Sequence, residues 1–459
     1  MRPFSRLLAP ALLALLLASP VVADKFDDKF DDRVLVQLEE LGSPKPADRQ
    51  AAEAALVELA SSAPDNAERV LAQMPAANAS IPAEVLASIE RVRIRIQRDI
   101  ARRATVASTV TIKAIQQPLN KVLEEFTRQT GAKFRDQREA GGENVAPTMV
   151  TLLLQDEPFW QAIDKLLDEA NLSVYPYGEE GEVTLVPREE GVHSRRKGAV
   201  YAGPFRFEPL SLAATRGLRD ESSSRLDLVI EAVWEPRLRP IGIFQPLRDV
   251  TVTGSDGKPL LPRMPDQSID MEPTPGEQAL TLTLSMQLPG RDVKRIESVT
   301  GQLTAMIPAT RREFRFEKIG AAKLPSIQTF GGATVTVTRF RKANDIWELH
   351  MQLRLEEAGD ALASHRGWVF QNPSHLIDAE GKRYEQVGFE TTMQSENEVG
   401  LAYLFDLGDG ELFEDEPTEV DAHDEEPKVK PEELTWVYET PTGVYTAPIS
   451  WKLGPIDLP

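Results

Sequence analysis

"VTIKAIQQPLNKVLEEFTRQTG" runs from Val110 to Gly131, and forty residues on the chain reads "VTLLLQDEPFWQAIDKLLDEAN" from Val150 to Asn171. The two stretches align without a gap. In each, a strand-like opening leads to a proline eight residues after the first valine, Pro118 or Pro158, and apolar residues then follow at helical spacing. Leu119, Val122, Leu123 and Phe126 correspond to Phe159, Ala162, Ile163 and Leu166, the pattern of a helix buried on one side. The prolines suit a first helical turn. Gly131 and Asn171, residue types that readily take left-handed backbone angles, mark the stops. Strand, helix and stop are thus read twice, and "LSVYPYGEEGEVTLVP" from Leu172 adds two short strands around a Gly-rich turn. The polar stretch "RDQREAGGENVAPTM" between the repeats reads as a loop.

From about Thr105 to Glu190 this pattern resembles the short N-terminal domain shared by secretins and TonB-dependent receptors. The matched positions are Pro118, Leu119, Thr130 and Gly131, then Val150, Thr151, Leu152, Pro158, Ala162, Ile163, Leu166 and Leu167. The resemblance implies a small α+β module that makes protein contacts in the cell envelope, with no catalytic role. The remaining sequence lacks the aromatic girdles and regular spacing of membrane strands, so neither an export channel nor a nutrient receptor is implied.

Upstream, "MRPFSRLLAPALLALLLASPVVADK" places Arg2 and Arg6 before an apolar run and small residues before the end, as in an export signal cleaved near Ala23. The run is too short for a comfortable membrane anchor, and no later stretch is apolar for long enough to span a bilayer. The expected mature protein is soluble, and periplasmic or secreted. Residues 24–104 are rich in helix formers and resemble a single HEAT-type helical repeat. Val34, Leu35, Leu38 and Leu41 mark one helix, Ala52, Ala55, Leu56 and Leu59 a second, and Val85, Ile89, Val92 and Ile96 a third that starts at Pro82. On the third helix Arg91, Arg95, Arg98 and Arg102 share a face, which reads as an ordinary solvated surface or else as a site for an acidic protein partner or an anionic surface.

Downstream of the polar linker 191–199 the period becomes two. Leu226, Leu228, Ile230, Ala232 and Trp234 alternate with other residues, as do Leu280 to Leu288 and then Trp347 to Leu355. Turn sequences such as "GSDGKP" and "DAEGKRY" separate these strands. Two antiparallel β-sandwiches are expected, 200–325 and 326–459, with "FRFEKIGAAKLP" closing the first and "APISWKLGPIDLP" the second. The fold class is therefore multidomain: a helical N-terminal segment, a small α+β domain at 105–190, then two sandwiches.

A chain of 459 residues fits about three domains of roughly 150 residues each. It contains no cysteine, so packing alone must hold it together. Its formal charge of −20, more negative still once Arg2 and Arg6 leave, repels phosphate backbones and makes nucleic acid an unfavourable partner. No cofactor, metal site or catalytic residue is assigned. His193, His350, His365, His375 and His423 have no metal-ligand spacing and read as solvated or incidental. "SRRK" from Ser194 fits Ser-x-x-Lys but lies in a linker without companion motifs. The acidic insertion near 406–433 lacks the ligand alternation of a calcium loop and reads as an extended, solvated run. Trp436 and Tyr438 share a strand face, which suits either a sandwich core or stacking on cell-wall glycan. The function expected is a non-enzymatic envelope protein that binds a protein partner, with glycan binding as the alternative.

Overall fold

A computed structural model describes residues 28–63, 65–75, 81–140, 147–175, 178, 181–190, 198–274, 276–344, 346–355, 367–395, 397–408 and 429–459. The signal segment, most of the linker 191–199 and most of the acidic insertion lie outside the described residues. The chain divides into two compact units. One ends at Ala101 and resumes over Pro308–Tyr445, and the other comprises Arg102–Ile307 and Thr446–Pro459.

Among the described residues the first unit opens with four helices: α1 (Asp28–Glu40), α2 (Pro46–Ser61), α3 (Asn66–Gln73) and α4 (Ala83–Ala104). Their stripes close one core around Val34, Leu38, Leu56, Val70, Ile89, Val92 and Ile96. The alternating window "RVRIRIQR" is helical, as its setting inside a longer stripe predicts. Helix α3 has no counterpart in the sequence reading, because eight residues span barely two turns and give periodicity little to act on. Pro82 stands just ahead of α4, its carbonyl accepting from Val85 and Leu86.

The same unit holds one eight-stranded antiparallel sheet. Its strands are β14 (Thr310–Phe316), β15 (Ser326–Phe330), β16 (Ala333–Ala343), β17 (Ile346–Leu355), β18 (Ser374–Ile377), β19 (Arg383–Gln394), β20 (Glu398–Phe405) and β21 (Thr435–Thr442). They lie in the order β14-β21-β18-β19-β20-β17-β16-β15. The two outer strands come round to meet, with Gln328 Nε2 donating to the Arg315 carbonyl at 2.6 Å. Trp436, Tyr438, Tyr403 and Phe405 fill the interior.

The second unit contains the repeat. Strands β1 (Thr109–Pro118) and β3 (Met149–Pro158) pair antiparallel, and each runs directly into a helix, α5 (Leu119–Thr130) and α6 (Phe159–Ala170). Pro118 and Pro158 cap these helices in extended conformation rather than entering the first turn. Strands β2 (Lys133–Asp136), β4 (Leu172–Tyr175) and β5 (Glu182–Pro187) form a second small sheet, with β2 parallel to β5. The stretch read as a loop between the repeats contains the end of β2 and the helical turn Gln137–Ala140.

A β-sandwich completes this unit. Strands β6 (Val200–Ala202), β7 (Phe205–Thr215), β8 (Arg225–Trp234) and β12 (Ala279–Met286) form one sheet in the order β12-β8-β7-β6. The facing sheet contains β9 (Gly242–Pro246), β10 (Thr251–Gly254), β11 (Ser268–Met271) and β13 (Arg295–Ile307), joined by β22 (Tyr445–Leu453) and β23 (Ile456–Asp457) on β13. The two closing strands are exchanged relative to the sandwiches expected at 200–325 and 326–459. The "FRFEKI" strand β14 pairs with β21, and "APISWKLGPIDLP" returns to β13. Alternation specifies that a segment is a strand but not which sheet will bury it, and only Pro308 and Ala309 separate β13 from β14. Trp451 secures the returning strand: it stacks on Phe207 at 5.6 Å, donates Nε1 to Gln245 Oε1 at 3.0 Å, and leaves no room for a Cβ at Gly301.

Candidate functional site

The two halves of the repeat are related by an approximate twofold within the small module. Thr109 pairs with Pro158 and Met149 with Pro118, which are equivalent pairs under the forty-residue offset. Both strands bulge at matched left-handed residues, Gln116 and Asp156, each with φ of 48°. The helix stops Gly131 and Asn171 also have positive φ, as their residue types predict.

Polar side chains recur as well, in structural roles. Gln129 Oε1 accepts from the Thr111 amide at 2.9 Å, and Glu169 Oε1 accepts from the equivalent Thr151 amide at 3.1 Å. Thr111 Oγ1 accepts from the Asp156 amide, and Thr151 Oγ1 from that of Gln116. These contacts satisfy backbone donors that the bulges and free strand edges would otherwise expose.

The inner faces of the two strands and helices form a single core. Each large side chain in it, such as Phe126 or Phe159, contributes about 1.5–3 kcal/mol by its burial. The outer face of the β1–β3 sheet differs. Ile115, Met149 and Leu153 are exposed there at 62%, 44% and 67%. The apolar residues break the internal symmetry, since Ile115 corresponds to Gln155 and Leu153 to Lys113.

The module is firmly seated on the sandwich of its own unit. Its core continues into Val233 and Ala279. Asp164 of α6, 1% exposed, accepts from Arg206 NH1 at 2.8 Å and from the Tyr201 hydroxyl at 2.6 Å. The Arg206 guanidinium also lies over the Trp160 ring at 5.1 Å, and Trp160 Nε1 donates to the Pro204 carbonyl at 3.1 Å. At the entrance to β1, the buried Glu235 carboxylate accepts from the amide and hydroxyl of Ser108 and from Arg237. Arg206 and Asp164 carry no sequence signal as a pair, being forty-two residues apart. The one available sign is that Arg206 interrupts "FRF", where a strand covered on both faces buries three residues in succession.

The residues singled out from the sequence fall elsewhere. Arg91 is exposed and pairs with Glu53 at 2.6 Å. Burial would raise the Glu53 carboxyl, but its bonds to Arg91 and Ser88 outweigh this and hold it below the usual range. Arg95 and Arg102 are exposed and Arg98 is half-buried. The deeply placed cation of α4 is Arg93, two residues off the stripe and 2% exposed. Its NH2 donates to the Pro75 carbonyl at 3.0 Å, and it pairs with Glu90 and covers the Phe330 ring at 4.3 Å.

Trp436 and Tyr438 are fully buried, which gives them the core role of the two that their shared face suits and corrects their assignment as glycan-binding residues. They stack on each other at 5.4 Å, with Trp436 Nε1 donating to Ser374 and the Tyr438 hydroxyl accepting from Asn372. Burial pushes the Tyr438 hydroxyl up to about 12. His375 is buried rather than solvated, and burial pushes its pKa down. His350 is half-buried near Glu348. His193, His365 and His423, the "SRRK" segment and the acidic run from 409 to 428 lie outside the described residues. Among the described residues no group of three or more His, Cys, Asp or Glu is placed to hold a metal, and no helix is long and apolar enough to cross a membrane.

No family model matches the chain, and no curated protein matches it. Among solved structures, the atomic model of the Salmonella SPI-1 type III secretion injectisome basal body proteins InvG, PrgH and PrgK is similar at 10% identity. The match covers 76% of this chain and 92% of that one at a TM-score of 0.15, too low to assign a fold.

Proposed function

We propose that this is an exported, non-enzymatic envelope protein whose small α+β module presents a binding surface to another protein. The observation that carries the reading is the outer face of the β1–β3 sheet. Ile115, Met149 and Leu153 are exposed on a module whose other large apolar side chains are mostly packed inward. Apolar residues gathered on one small sheet face suit a protein contact better than a polar ligand. The seating of the module by Asp164, Arg206 and Glu235 holds that face in a fixed orientation on its sandwich, and a preorganised surface loses less entropy on binding. Export rests on the N-terminal sequence, and the arginine stripe of α4 is a second, weaker candidate for an acidic partner. The glycan alternative has lost the two rings on which it depended.

The test is affinity capture from the native envelope with the intact chain and with an Ile115→Glu, Leu153→Glu variant. Both substitutions are at exposed positions and leave the core untouched. At least one captured protein should be lost from the variant. An unchanged captured set would refute the assignment of this face.

A further inference from the structure

Glu208 on β7 stands directly opposite Glu231 on β8, a placement in which like charges repel. Their side chains are only 15% and 13% exposed, and Arg206 NH2 lies 3.8 and 3.9 Å from them. Arg206 gives its short hydrogen bond to Asp164 instead, and its Nε is buried without an acceptor. Three carboxylates therefore surround one guanidinium where water has little access. Glu231 faces Arg206 and Glu208 from β7, Asp164 from α6 across that guanidinium, and the Tyr201 hydroxyl of β6 bonded to Asp164. On its other side β12 presents the uncharged Thr281.

We propose that Glu231 takes up a proton against the Glu208 carboxylate opposite it, forming a pH-responsive latch that seats the α+β module firmly in mild acid and loosens it as the pH rises. A like charge directly across the strand pair disfavours ionisation of a carboxylate that water reaches poorly. Burial pushes the Glu231 carboxyl above its ordinary value of 4.5, Arg206 opposes the rise and Glu208 adds to it. A group raised in this way stabilises the folded state below its unfolded pKa, and the stabilisation is lost as pH climbs through the folded value. The sensitive window thus opens at 4.5 and extends upward.

The test uses hydrogen exchange on the intact chain, followed at the α6 amides as protection factors between about pH 5 and about pH 8. In the unaltered protein, protection of α6 should fall by about tenfold more across that interval than in Glu231→Gln, whose amide needs no proton to coexist with Glu208. Glu208→Gln should flatten the profile in the same direction, because it removes the opposing charge that favours the proton on Glu231. It also provides the readout if Glu231→Gln does not fold. Equal pH dependence in the unaltered protein and the folded variants would overturn the latch.

Discussion

Each compact unit seats a helix on a sheet around a buried arginine, and the two units assign the parts in opposite ways. In the unit containing α4, the arginine is on the helix: Arg93 pairs with Glu90 of its own helix and covers Phe330 of the sheet. Glu90 also accepts from the Gly331 amide at 2.9 Å, and Gln97 donates to Thr442 Oγ1 at 3.2 Å. In the unit containing α6, the arginine is on the sheet, and the helix supplies both the carboxylate and the aromatic ring, Asp164 and Trp160. Both guanidinium groups leave Nε buried and unbonded. The difference lies in the charge balance. Arg93 has one close carboxylate, itself a fifth exposed, while Arg206 is surrounded by three that are 1%, 15% and 13% exposed. A buried pair stabilises little beyond a good apolar replacement, but a buried charge stripped of its partner is costly.

The largest expected effect follows from that asymmetry. Arg206→Met should destabilise its unit by about 4 kcal/mol at neutral pH, because three shielded carboxylates lose the cation they surround. The cost should shrink as the solution is acidified and Glu231, held above its ordinary value by burial, takes up a proton. Arg93→Met should cost about 3 kcal/mol or less, because Glu90 can turn toward water, and Phe330 keeps Arg312 over its ring at 4.5 Å. Hydrogen exchange resolved by unit is the suitable measurement, since two units need not unfold together. If Arg93→Met proves the more damaging, the charge balance is not what distinguishes the two seats.

The repeat was legible because both of its periods are local. The apolar spacing of Leu119, Val122, Leu123 and Phe126, and the stop at Gly131, depend on residues within one turn of each other. The seats were not legible, for the opposite reason. Arg91, Arg95, Arg98 and Arg102 stand out by spacing, yet the sheet of the same unit covers Arg93, which sits beside Val92 and near Ile96 on a flank that a helix alone would leave wet. Burial of a charge is decided by what arrives from elsewhere in the chain, here Phe330 and Thr442. The signal that was available lay in the glycines, since Gly331 and Gly443 stand where the Gln97 side chain comes too close to admit a Cβ. The exposed face of Ile115 and Leu153 was hidden for a further reason: alternation says which residues share a face but not whether that face is covered.

A pair of glycines gives the finest test of the comparison. Gly203 and Gly331 have nearly the same left-handed backbone, with φ of 56° and 57°, and each lies against the helix–sheet seat of its unit. Alanine at either position meets the same conformational penalty, about 1 kcal/mol. The obstacles differ. At Gly203 a Cβ would be driven into the Thr105 carbonyl, which is backbone, while at Gly331 it would meet the end of the Gln97 side chain, which can rotate away at the expense of its bond to Thr442. Gly203→Ala should therefore cost about 2 kcal/mol and Gly331→Ala closer to about 1 kcal/mol. Combining Gly331→Ala with Gln97→Ala should then cost less than the sum of the two single changes, because the second removes the obstacle to the first. Strict additivity would mean that Gln97 does not set the limit at Gly331, and the seat of α4 would owe its geometry to Arg93 and Glu90 alone.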